Sequence, residues 1–143
     1  MASLVYNNYK ARALGLSTMI DLDSDTIKLA LLTSSYTPDQ DAHDFFDDVS
    51  ANEVAASGSY SAGGATLTVT LSQDNTDDEG VFDATDVSFT AATITARYAV
   101  VYKSTGTAST SPLICLIDFG SDRISTDGTF SITFAAEGIL NLT

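Results

Sequence analysis

The sequence predicts a mainly β protein. The expected fold is a single-domain antiparallel β-sandwich, jelly-roll-like or immunoglobulin-like, with a short N-terminal helix and a short acidic helix. Three observations lead there. The chain has 143 residues, which fits one domain able to hide roughly 68–70% of its unfolded surface in one core. Hydrophobic residues make up 44% and charged residues 17%, below the usual ~25% charged, with Ser, Thr, Asn and Gly in their place. Many short runs also alternate between apolar and polar residues and are rich in β-branched and aromatic side chains. They are separated by polar, glycine-containing turns, the pattern of a sandwich rather than of a helical bundle.

Taken in order, residues 4–16 predict a helix because Val5, Tyr9 and Ala13 recur every four residues while Lys10 and Arg12 fall on the other side; residues 1–16 are alternatively expected as a contact arm, since termini are mobile unless docked. Gly15 weakens its last turn. Residues 26–32 alternate as a strand, with Ile27, Leu29 and Leu31 on one face and Lys28, Ala30 and Leu32 on the other. Thr37-Pro38-Asp39 predicts the start of the acidic helix, running through Ala42, Phe45 and Phe46. Proline suits a helix start, and Asp39 and Asp41 suit the positive end of its dipole. Beyond residue 53 the chain reads as strands: 53–56, the Tyr60 region, 65–71, 81–83, 87–89, 92–103, 113–119, 130–134 and 139–142. Within the longest, Ile94, Ala96, Tyr98 and Val100 are expected on one face and Thr95, Arg97, Ala99 and Val101 on the other. The turns are Gly63-Gly64, the acidic Asp74–Gly80 and the small-residue loop 104–112.

Charge narrows the function. Six basic residues face 19 acidic ones, for a net charge of −13. Lys and Arg neutralise phosphates in nucleic-acid complexes, and here they are scattered, so nucleic acid and anionic membrane are not expected partners. The single Cys115 lies in the apolar run Leu113–Ile117 and is expected to pack as a small hydrophobe. No run approaches the ~20 apolar residues of a membrane span. The first residues lack the charged start and apolar stretch of a signal peptide, so synthesis and folding in a cytoplasm are expected.

Motifs for chemistry fail one by one. Asp21-x-Asp23-x-Asp25 opens like an EF-hand loop, yet Thr26 and Leu32 stand where Gly and Glu are required. Asp74, Asp77, Asp78 and Glu79 form an acidic turn with oxygen ligands for Ca²⁺, but acidic turns are far more often simply solvated. With one Cys and one His (His43), structural zinc lacks ligands. No nucleophile elbow, phosphate loop or dinucleotide fingerprint occurs. No catalytic, cofactor-binding or metal residues are assigned, no cofactor is expected, and the chain is not expected to be an enzyme. Tyr6, Tyr9, Tyr36 and Tyr60 lie outside the long strands. They are the candidate contact residues, because aromatics are enriched at interfaces.

Several segments, in order along most of the chain, resemble a group of small virion structural proteins of tailed bacteriophages. They are Tyr6-Asn7-Asn8-Tyr9-Lys10, residues Asp25 to Pro38, Asp47-Asp48-Val49-Ser50, Gly63-Gly64-Ala65, Thr95 to Lys103, Ser111-Pro112-Leu113-Ile114 and Ile117-Asp118-Phe119-Gly120. The resemblance implies a head decoration (cement) protein. Such a protein would bind the outside of the capsid, bridge subunits of the major capsid protein, and form a homo-oligomer, a trimer before a dimer. A tail or adsorption component and a calcium-dependent, lectin-like module using the Asp74–Glu79 turn are the alternatives. No site residue follows from the resemblance.

Overall fold

Strong alternation in the middle of the chain builds the scaffold. The computed structural model describes residues 2–143. Its strands are β1 (Leu4–Val5), β2 (Ile27–Leu32), β3 (Ala65–Thr66), β4 (Val69–Asp74), β5 (Glu79–Ala84), β6 (Val87–Lys103), β7 (Leu113–Ile132) and β8 (Leu140–Leu142), with one helix, α1 (Asn7–Ala13). They form two antiparallel sheets, five-stranded in the order β1-β7-β6-β2-β3 and three-stranded in the order β4-β5-β8. The expected mainly β, sandwich-like single domain is what the chain adopts. Among the described residues, no helix is long and apolar enough to cross a membrane.

The long β6–β7 hairpin is the spine. The sequence predicts separate strands at 87–89 and 92–103, and again at 113–119 and 130–134. In the structure each pair fuses into one strand of 17 and 20 residues. The fusion is made through irregularities in pairing at Phe89/Ala92, Ala92/Ile94 and Ala96/Tyr98. The last of these overturns the expected face assignment. Between the pairs Ala96–Arg123 and Tyr98–Asp118, β6 advances two residues and β7 five, and such an irregularity twists the strand and re-aims its side chains. Ile94 and Ala96 therefore share the inter-sheet core with Ala99 and Val101. Tyr98, Val100 and Tyr102 turn to the opposite face of the sheet.

That opposite face has a core of its own. Tyr6, Ala30, Leu32, Tyr36, Phe46, Val49, Leu113 and Leu116 join those three residues, and Phe46 stacks on Tyr102 with ring centroids 4.2 Å apart. The five-stranded sheet is thus covered on both sides: by the small sheet, with Val54 and Tyr60, on one, and by Tyr6 with residues 36–49 on the other. The fully apolar run Leu113–Ile117 follows, since both faces of β7 are buried there. Cys115 is fully buried within it, as expected, and burial pushes its thiol up to about 12.

Other expectations are corrected. The helix predicted over 4–16 occurs only as α1, because Leu4–Val5 pairs with β7 and the positive φ of Gly15 and Ser17 ends the helical path. Nor is the N-terminus a free arm. Its backbone donates from Ala2 to the Ile139 carbonyl, from Ser3 to Leu116 and from Tyr6 to Ile114. The acidic helix after Pro38 does not form. That stretch holds turns and two 3₁₀ segments, Phe46–Asp48 and Ser50–Asn52. Asp39 and Asp48 accept from nearby backbone N–H groups, Asp41 and Ala42 for the first, Asp44 and Phe45 for the second. Such local side-chain bonds compete with a regular helix. The strand expected over 65–71 divides into β3 and β4, where the chain crosses from one sheet to the other.

Candidate contact surfaces

The interior accounts for most of the aromatic candidates. Tyr6, Tyr36 and Tyr60 are 0%, 3% and 1% exposed, which corrects their expected role as surface contacts. Each hydroxyl is satisfied inside the fold, so a tyrosine outside the long strands still belongs to the core. Tyr6 and Tyr36 share a hydrogen bond of 2.9 Å between their hydroxyls, and Tyr36 bonds His43 Nδ1 at 2.9 Å. Burial raises the pKa of Tyr6, Tyr36 and Tyr60. Tyr9, half-buried on α1, is the one candidate that lines an open surface.

That surface is an apolar groove of about 250 Å³. Its floor is the inner face of the small sheet, where Leu71, Phe82 and Leu140 lie side by side and Gly80 pairs with Leu142. Near Ala84 this face is pressed onto the large sheet. At the Gly80 end it runs out from under its cover, and Tyr9 and Leu22 form the facing wall. Leu71 and Leu142 are 44% and 78% exposed there. The chain between Tyr9 and Leu22 carries three more exposed apolar side chains, Leu14, Leu16 and Met19. Leu14 and Leu16 lie near the end of the stretch 4–16 that the sequence predicts as helix. The early end of α1 leaves them outside. Leu14, Leu16 and Met19 are 91%, 58% and 56% exposed on a strongly charged protein.

The β4–β5 turn follows the groove floor by one residue. Asp74, Asp77 and Glu79 can bring carboxylate oxygens within 4.8 Å of one another. They already serve the turn: Asp74 Oδ1 accepts from the backbone of Thr76 and Asp77, and Glu79 Oε1 from Asn141 Nδ2. The Asp21–Asp25 loop is likewise structural. Asp21 Oδ1 accepts from the N–H groups of Asp23 and Ser24, and Asp25 pairs with Lys103 at 3.0 Å.

His43 has no serine or cysteine among its hydrogen-bond partners. Cys115 is fully enclosed. No nucleophile–base pair is therefore assembled around either residue.

On the outer surface of the large sheet, Arg97 Nε holds Asp118 at 2.6 Å. The Arg97 hydrogen bond and the Gly120 N–H keep the Asp118 carboxyl below its ordinary 3.8. A depressed carboxyl contributes stability above its unfolded pKa and loses it as pH falls through the folded value. Asp118→Asn is expected to cost less than about 1 kcal/mol at pH 7, since the pair is exposed. The cost should shrink as pH falls through the lowered folded pKa of Asp118, as chemical denaturation at pH 7 and at acid pH would show.

No known protein family, curated protein or solved structure matches the chain.

Proposed function

We propose that the chain is a virion structural protein of a tailed bacteriophage. In this reading it decorates the outside of the head and clamps neighbouring subunits of the major capsid protein. The observation that carries the proposal is the ordered set of segments resembling such proteins. Their placement fits a shared scaffold: Asp25–Pro38 contains β2, Thr95–Lys103 lies in β6, and Leu113–Ile114 and Ile117–Gly120 lie in β7. Tyr6 to Lys10 starts α1, where Asn7 Nδ2 donates to Asp41 Oδ1 at 2.6 Å.

The physical features suit the task. A cement protein needs a rigid module, an outward face that keeps particles dispersed, and a face that another protein covers. Both sides of the central sheet are packed, and a net charge of −13 repels like particles. The exposed Leu14, Leu16 and Met19 and the apolar groove supply the apolar surface. Binding the assembled shell but not its free subunits stabilises the shell by linkage. Clamping needs no catalysis and no cofactor. The protein would be made in the host cytoplasm and reside on the capsid exterior as a homo-oligomer, a trimer.

The test is to add the purified protein to undecorated expanded heads of the encoding phage. Saturable binding and a higher temperature of head disruption are expected. Heads that neither bind the protein nor gain stability would overturn the reading.

A further inference from the structure

Two strand edges on opposite margins of the molecule match one another. One is the outer edge of β4, a margin of the small sheet. It runs six residues, Val69–Asp74, without proline, lysine or positive φ. Proline, lysine and bulges usually protect an edge; the only charge on this one is Asp74, at its end. The other is the outer edge of β7. Beyond its pairing with β1 at Cys115 and Leu116, no strand among the described residues covers that side. Positive φ at Gly120 and at Asp127 interrupts the regular backbone of β7 there, leaving one regular stretch between them, Ser121–Thr126, also of six residues.

Side chains on the two edges are complementary. Ile124 is 68% exposed on β7, and its neighbour Arg123 has only the Phe119 carbonyl, at 3.2 Å. Of the other basic groups, Arg97 and Lys103 are already paired with carboxylates. On β4, Leu71 is 44% exposed at the rim of the apolar groove. Ser72 and Asp74 point to the other face, where Asp74, Asp77 and Glu79 cluster.

We propose that copies of this chain join head to tail by strand addition. The Ser121–Thr126 edge of one copy pairs antiparallel with the Val69–Asp74 edge of the next. The register sets Ile124 beside Leu71, and alternation then sets Arg123 beside Ser72, one row from Asp74 and within diagonal reach of the carboxylates. Asp122 meets neutral Gln73, so no like charges are opposed. The occupant of the β4 edge is thus a second copy, chosen by charge as well as by shape. β7 lies beside β1 at one margin of the large sheet, whereas β3, which leads into β4, lies at the other. The contact therefore joins different surfaces and closes into a ring when the rotation permits. The inference rests on the homo-oligomer within the proposed function and on no other part of that reading.

The test is the oligomeric state of the isolated protein, by native mass spectrometry and light scattering. The wild type should be a closed oligomer. Ile124→Asp and Leu71→Asp, both at exposed positions, should be monomers with wild-type melting. Arg123→Glu should weaken association roughly tenfold or more. Mixing Ile124→Asp with Leu71→Asp should give a heterodimer, because one intact edge of each kind remains. A monomeric wild type, an oligomer that survives either substitution, or a mixture that stays monomeric would overturn the proposal. Because no capsid enters this test, its failure leaves shell binding to be judged separately.

Discussion

Gly64→Ala is expected to unfold much of the population at moderate denaturant, with a loss of at least about 3 kcal/mol, while Gly106→Ala costs about 1 kcal/mol. Both glycines have positive φ, +80° and +86°, so backbone strain is common to the two. They differ in surroundings. A Cβ on Gly64 would lie 1.8 Å from the Leu29 carbonyl oxygen, whereas one on Gly106 meets nothing within 4 Å. Gly64 lets the chain pass tightly against β2 before β3 pairs with it at Leu29 and Lys28. Since Leu29 is buried in the inter-sheet core, β2 cannot retreat without opening that core. Urea titration of the two variants checks the difference. Equal losses would mean that only φ matters.

Tyr60→Phe should cost about 1–3 kcal/mol, although the ring and its edge-on contact with Phe89 are kept. The Tyr60 hydroxyl accepts from the Leu31 N–H at 2.9 Å and donates to Glu53 Oε1 at 2.7 Å. Glu53 Oε1 in turn accepts from the Gly63 N–H at 2.6 Å. Removing the hydroxyl leaves a buried β2 donor unpaired and loosens the carboxylate that fixes the Gly63 turn. Thermal or urea unfolding measures the loss. A change below about 0.5 kcal/mol would show that the Leu31 N–H finds another partner.

The two residues also show what could be read from the chain. Gly63-Gly64 was legible as a turn, because paired glycines signal one whatever surrounds them. Its close approach to β2 was not legible, because it depends on residues more than thirty positions away. β2 itself was legible down to its faces: Ile27, Leu29 and Leu31 face the small sheet, and Ala30 and Leu32 face the second core. β6 was legible only up to Ala96, since a bulge leaves no mark in an alternating sequence. Residues 120–129 gave no strand signal because they extend the β6–β7 hairpin with mostly exposed polar side chains.

The tyrosines misled for a related reason. Tyr6, Tyr36 and Tyr60 sit outside the long strands, yet they cover or cross-link the sheet with their rings buried and their hydroxyls paired. Periodicity reports which face of an element is apolar. It does not report that a loop will lie over a sheet. The exposure of Leu14, Leu16, Met19 and Leu71 was invisible for the converse reason: apolar residues in a sequence are assigned to the core until the packing shows them outside it.

The measurement that bears most directly on the function is cryo-electron microscopy of virions of the encoding phage. The reading predicts hundreds of copies in icosahedral register on the outside of the head, each bridging capsid subunits. Copies confined to the tail, or an absence of the protein from the particle, would contradict it.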